Sequence, residues 1–117
     1  MLALVSAREA RSLDEDLPPL TEALRARGIE HAIVDWDDPQ IDWSKFSCAL
    51  IRSTWDYTDR LEEFLAWADT TATRTRLLNP PAVVRWNTHK RYLVELAAHD
   101  VPVVPTRLIE VGSALPD

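Results

Sequence analysis

Two groups of side chains in this sequence have the types and spacing to do chemistry. The first is Arg52-Ser53-Thr54-Trp55-Asp56-Tyr57, directly after a run of apolar residues. A guanidinium there can fork onto a carboxylate or phosphate, the two hydroxyls can add hydrogen bonds, and Trp55 or Tyr57 can form an apolar wall. The plainer account is a local Arg52–Asp56 ion pair with both rings packed at a sheet edge. The second group is Lys90-Arg91, opening a helix after the turn at Asn79-Pro80-Pro81. A helix start presents unpaired N–H groups and the positive end of the macrodipole, so each cation there costs about 0.3–1 kcal/mol. A phosphate bound at that point would reverse the sign and make both cations favourable.

Other candidates carry less. His31, His89 and His99 have no metal-ligand spacing with Cys48, and no HxH or HExxH pattern occurs, so no metal site is expected. Cys48 within an apolar strand reads as a small core residue. Asp35, Asp37, Asp38 and Asp42 read as a solvated loop after a strand rather than a cation site. Asp14-Glu15-Asp16 lies where a helix start favours carboxylates and needs no further role. With Gly28 and Gly112 the only glycines, neither a phosphate-binding loop nor the dinucleotide fingerprint can be built. Trp36, Trp43, Trp55, Trp67 and Trp86 suit core and interface better than base stacking.

The elements that must hold these residues can be read from apolar patterning. Leu2 to Ser6, His31 to Trp36, Phe46 to Ser53 and Arg76 to Leu78 read as strands, nearly continuous in apolar character. Leu17, Leu20, Ala23 and Leu24 recur at helical spacing, with Pro18 and Pro19 in the first turn and Gly28 as the terminating glycine. Thr58 is the expected cap of a second helix that buries Leu61, Phe64, Leu65 and Ala68. A break and a helix follow across 80–99, with Tyr92, Leu93, Leu96 and Ala97 inward. Val101 to Thr106 should be extended, and Leu108-Ile109 should complete a strand. The alternation predicts an α/β fold, a small, open, mostly parallel sheet with helices on both faces. Ligands then bind beyond the carboxyl ends of the strands, at Ser6-Ala7, Trp36-Asp37, Arg52 to Tyr57 and Asn79.

Bulk properties narrow the classes. At 117 residues, with 46% hydrophobic and 27% charged residues, this is an ordinary globular chain able to bury a core. A single cysteine gives no internal disulfide and favours a cytoplasmic location. The short apolar N-terminus resembles neither a signal peptide nor a membrane span. The net charge of −6 disfavours nucleic acid. That charge is uneven: residues 1–70 hold seven basic and fifteen acidic side chains, residues 71–117 six and four. The basic excess therefore surrounds Lys90, where it would help hold a small anion.

The series Arg52 to Tyr57, Asn79-Pro80, Val84-Arg85-Trp86-Asn87 with Lys90, Tyr92 and Leu93, then Val101-Pro102-Val103-Val104-Pro105-Thr106 resembles the N-terminal part of ATP-grasp ligases. It is most similar to the branch of glutathione synthetase and the ligase of cycloserine biosynthesis. The resemblance implies a Rossmann-like pre-ATP-grasp domain over 1–100 and the start of a nucleotide-binding region over 101–117. It implies an ATP-dependent carboxylate–amine ligase, with ATP and Mg2+ as cofactors and a small-molecule carboxylate as substrate. Lys90 matches the lysine that reaches the nucleotide phosphates, although the family commonly has Asp where this chain has His89. Arg52, Ser53, Thr54, Trp55, Asp56 and Tyr57 would face the substrate. The second phosphate-binding lysine, the adenine-binding strand and the metal ligands have no counterpart in the sequence. The expectation is therefore the front of a ligase, lacking the ATP-grasp subdomains and inactive alone, completed by a C-terminal half or partner chain. A non-catalytic binding domain derived from such a ligase is the alternative, and an uncovered apolar face would favour self-association.

Overall fold

The structure, a computed structural model, describes residues 1–109 and 111–113. It divides into two compact units, Met1–Val84 and Arg85–Asp117.

The first unit is built on four strands: β1 (Leu2–Ser6), β2 (His31–Asp35), β3 (Cys48–Ser53) and β4 (Arg76–Leu78). They form one all-parallel sheet in the order β2-β1-β3-β4. β1 is central, and Ala3 to Ser6 are buried, which is why Leu-Ala-Leu-Val reads as an unbroken apolar run. Helix α1 (Leu17–Ala26) connects β1 to β2 and α2 (Leu61–Ala72) connects β3 to β4. These crossovers move outward in opposite directions, so right-handed connections set the two helices on opposite faces. Side-chain alternation along β1 agrees: Ala3 and Val5 join a core with Phe64 and Ala68 of α2, while Leu4 between them is buried outside that cluster.

Aromatic packing dominates the α2 side. Trp36 meets Phe64 edge-on at 5.4 Å between centroids, and Phe64 stacks on Trp67 at 5.2 Å. Trp67 in turn meets Trp43 at 5.5 Å. Val84, on helix α3 (Pro81–Asn87), is the last buried residue of this unit.

Local sequence explains both ends of α1. Prolines occupy its first turn, and Gly28 follows Arg27 with φ of 68°, the left-handed geometry that a side chain disfavours. The start of α2 differs from expectation. Thr58 ends a 3-10 turn over Trp55–Thr58, and Arg60 precedes the helix with no side-chain cap. Glu62 and Glu63 in the first turn supply the favourable charge instead.

In the second unit, α4 (Arg91–Ala98) begins after Lys90, so the stretch 80–99 forms two short helices rather than one. Tyr92, Leu93 and Leu96 are half-buried and Ala97 is exposed, so the expected inward face is only partly covered. Asp100 ends the helix at φ of 59°, and Val101 N–H donates to the Leu96 carbonyl at 3.1 Å. Val101 to Ile109 form no strand, contrary to expectation. Pro102 and Pro105 withdraw two of the amide donors that a ladder would use. Glu110 and residues 114–117, the end of the expected nucleotide-binding segment, lie outside the described residues.

Candidate functional site

The crevice of an open parallel sheet lies where neighbouring strands send their connections in opposite directions. In this chain that point falls between the carboxyl ends of β1 and β3. The two strands pair regularly from Leu2 with Cys48 to Val5 with Ile51, and then the register shifts so that Ser6 faces Ser53. Arg52 is the extra residue. A bulge of this kind redirects a side chain at the end of a strand. Here the redirected side chain is the only cation of the group read from the sequence.

Arg52 Nη2 donates to Asp14 Oδ1 at 2.8 Å and to Asp16 Oδ2 at 3.2 Å. Both carboxylates belong to the loop between β1 and α1. The Arg52–Asp56 pair considered from the sequence does not form. Asp56 instead accepts from Trp36 Nε1 at 2.9 Å and pairs with Arg60 Nη1 at 3.4 Å.

Asp14 is the residue that sequence reasoning missed as part of a site. Its side chain is 3% exposed, while that of Asp16 beside it is 86% exposed. Burial pushes the Asp14 carboxyl up, but hydrogen bonding from Ser53 and Arg52 and the positive charge of Arg52 outweigh it and hold it below its ordinary value. The close contact of Ser53 Oγ is with Ser6 Oγ, at 3.0 Å. Asp14 Oδ2 is buried without a hydrogen-bond partner, and so is Arg52 Nε.

These groups line a cleft of about 350 Å³ formed by Leu13, Asp14, Glu15, Asp16, Arg52 and Trp55. Trp55 is 51% exposed and forms its apolar wall. Of the other residues singled out in this stretch, Ser53 and Thr54 are buried. Tyr57 packs on Phe64 at 5.4 Å. The structure thus brings Arg52 and Trp55 together with Asp14 and sets Asp56 and Tyr57 in a separate cluster. That cluster centres on Arg60, which lies over the Trp36 ring at 4.6 Å and pairs with Asp37, Asp56 and Glu63. Asp37 and Glu63 hold the Arg60 guanidinium well above its usual range.

In the second unit Lys90 is exposed at the start of α4, its Nζ 5.7 Å from the Tyr92 ring centroid. Trp86 Nε1 donates to Glu95, and Trp86 packs against Tyr92 at 5.1 Å. Among the described residues no three His, Cys, Asp or Glu side chains converge to hold a metal ion. No helix among them is long and apolar enough to cross a membrane.

With this geometry established, three comparisons are informative. A family model described as D-cycloserine synthetase DcsG, N-terminal domain, matches residues 2–79. The cycloserine biosynthesis protein DcsG of Streptomyces lavendulae is 45% identical over 113 residues, covering 97% of this chain. The crystal structure of D-cycloserine synthetase DcsG superposes with a TM-score of 0.87 at 46% identity over 96% of the chain. In both cases this chain spans 38% of the relative's length.

Proposed function

We propose, from the premise that this chain belongs to the D-cycloserine synthetase DcsG N-terminal-domain family, that it is the substrate-side portion of an ATP-dependent carboxylate–amine ligase. The observation that carries the reading is the bulged Arg52, turned onto Asp14 at the switch point of a sheet otherwise regular from Leu2 to Val5. A binding crevice belongs at that point, and a paired, part-buried guanidinium gives it directional donors.

The role of this chain is to bind and orient. By resemblance, residues 1–100 correspond to the pre-ATP-grasp domain and residues from 101 to the start of the nucleotide-binding region. Arg52 and Trp55 face the small-molecule substrate. Ser53 and Thr54 support that wall from beneath, and Asp56 and Tyr57 hold the loop behind it. Lys90, exposed and cationic, is one wall of the nucleotide pocket and offers electrostatic stabilisation to a phosphate. ATP with Mg2+ would supply phosphoryl activation of the carboxylate. By resemblance to the family, the ligands of that metal lie in the rest of the ligase. The lone Cys48 fits a cytoplasmic setting.

Two experiments test this. The 117-residue chain alone should release no phosphate from Mg-ATP, and phosphate release at a ligase-like rate would overturn the reading. In a chimera, this chain replaces the matching N-terminal part of the Streptomyces lavendulae protein. That chimera should form D-cycloserine in an ATP-dependent manner, and Lys90→Ala should raise its KM for ATP without unfolding it. An unchanged ATP dependence removes Lys90 from the phosphate site.

A further inference from the structure

Arg52 reaches its cleft only because the sheet gives up regular pairing at the ends of β1 and β3, where the register shifts and Ser6 faces Ser53. The guanidinium is then fixed from one side. Its Nη2 donates to Asp14 Oδ1 at 2.8 Å and to Asp16 Oδ2 at 3.2 Å, and its Nε is sealed from solvent. Nη1 is the nitrogen left to meet a ligand, with Trp55 lining the same cleft. Asp14 is itself held in place. Its N–H donates to the Ala10 carbonyl at 2.9 Å, and the same Oδ1 accepts the Asp16 N–H at 3.2 Å.

Resting on the substrate-side reading above, we propose that Asp14 is a positioning residue, which never touches the ligand and fixes Arg52 so that Nη1 presents an aimed N–H to it. At 3% exposure the Asp14 side chain is too deep to serve as a binding group, while that of Arg52 is 30% exposed. Stability alone is a poor reason to bury a carboxylate. Desolvation of an ion pair offsets most of its attraction, and apolar groups of similar volume often do as well. Geometry is what the pair supplies. An arginine fork held at one nitrogen keeps the direction of the others, whereas a free arginine spreads over many rotamers. With two carboxylates on Nη2, the group acts as a directed donor rather than an open charge, so an acceptor oxygen is selected by its position. A supporting shell of this kind decides whether a binding group is held tightly enough to discriminate.

The test has two arms. In the first, nitrogen NMR of the chain follows rotation about the Arg52 Nε–Cζ bond. Wild type should show separate Nη1 and Nη2 signals, and Asp14→Asn should merge them. Asp16→Asn, which alters the 86% exposed carboxylate, should leave them separate. Merged signals in wild type, separate ones in Asp14→Asn, or equal merging by Asp16→Asn would each overturn the proposal. In the second arm, the chimera with the Streptomyces lavendulae protein is assayed for D-cycloserine formation at saturating ATP. Asp14→Asn should lower kcat/KM for the non-nucleotide substrate about tenfold, the size expected when a hydrogen bond from a charged group is lost. KM for ATP should not move. In an Arg52→Met background the same substitution should cost nothing further, because Asp14 acts through Arg52. Losses that multiply in the double variant, or a matching rise in KM for ATP, overturn the positioning role. If circular dichroism shows Asp14→Asn to be unfolded, Arg52→Lys carries the test, since it keeps the charge and gives up the fork. It should show the same loss, and wild-type kinetics with lysine would refute the need for an aimed donor. An ATP-dependent chimera indifferent to Asp14→Asn sinks only the positioning role. A chimera that makes no product with ATP sinks the ligase reading, and the NMR arm still decides whether Asp14 holds Arg52.

Discussion

Trp36 donates its indole N–H to Asp56 Oδ1 at 2.9 Å, tying the end of β2 to the loop after β3 across the end of β1. The Trp36 side of this bond is almost wholly buried. Asp56 is therefore a structural brace for the loop that carries Trp55. Replacing Asp56 with Ala leaves a buried donor unpaired and should cost about 1–3 kcal/mol in urea unfolding. Asp56→Asn keeps a carbonyl acceptor and should cost clearly less.

The Arg52–Asp14 pair makes a second, pH-dependent prediction. Arg52→Met strands a buried carboxylate and should lose about 1–3 kcal/mol at neutral pH, moderated by the 30% exposure of the Arg52 side chain. In the folded state the Asp14 carboxyl titrates below the ordinary aspartate value of 3.8. The pair's contribution is thus fully present above pH 3.8 and is lost as pH falls through the lower, folded value. The stability gap between wild type and Arg52→Met should be full at neutral pH, begin to close where the stranded carboxyl of the variant takes up its proton, and be gone once wild-type Asp14 is protonated too. Parallel unfolding curves at several pH values would check this, and a gap that widens in acid would contradict it.

Much of the scaffold was legible from local sequence. β1 and β4 were read with the boundaries the structure has, because each is an apolar run with polar flanks. Gly28 was legible as the helix stop for the same local reason. Asp14 was not. Its burial depends on Arg52, a residue far along the chain, and a carboxylate before a helix looks solvated when read alone. The bulge was invisible too, since register depends on a partner strand. Thr58 is not a cap, because residues 55–58 close a 3-10 turn of their own and the helix starts only after Arg60. The exposed position of Lys90 at a helix start was readable, whereas its use by a phosphate came from resemblance.

At Gly28 the backbone, and not crowding, sets the cost of substitution. A Cβ there would meet nothing within 4 Å, yet φ is 68°. Gly28→Ala should therefore destabilise by about 1–2 kcal/mol through left-handed strain. Gly28→Asn should cost less, since Asn tolerates that region. Thermal unfolding of both variants would show the order.

Asp100 is the converse case, a side chain where glycine would be easier. With φ of 59° it ends α4 in left-handed geometry. Asp100→Gly should relieve about 1 kcal/mol of strain, partly offset by the greater freedom of glycine when unfolded. Because the gain is local to α4, amide hydrogen exchange across Arg91–Ala98 should slow, and unchanged exchange would show that the helix end bears no such strain.

The position of β1 also governs the order in which this protein can be made. Leu2–Ser6 is synthesised before either of its neighbours, yet it is flanked by His31–Asp35 on one edge and Cys48–Ser53 on the other. The most apolar strand therefore has no partner until His31–Asp35 has been made, and is not paired on both edges until Cys48–Ser53 follows. Strand-first synthesis with late pairing leaves a sticky segment open to wrong partners on the nascent chain. Parallel pairing at these separations is slow because loop closure precedes any gain. Chaperone demand should thus be set by Leu2–Ser6 and fall only once Ser53 has emerged.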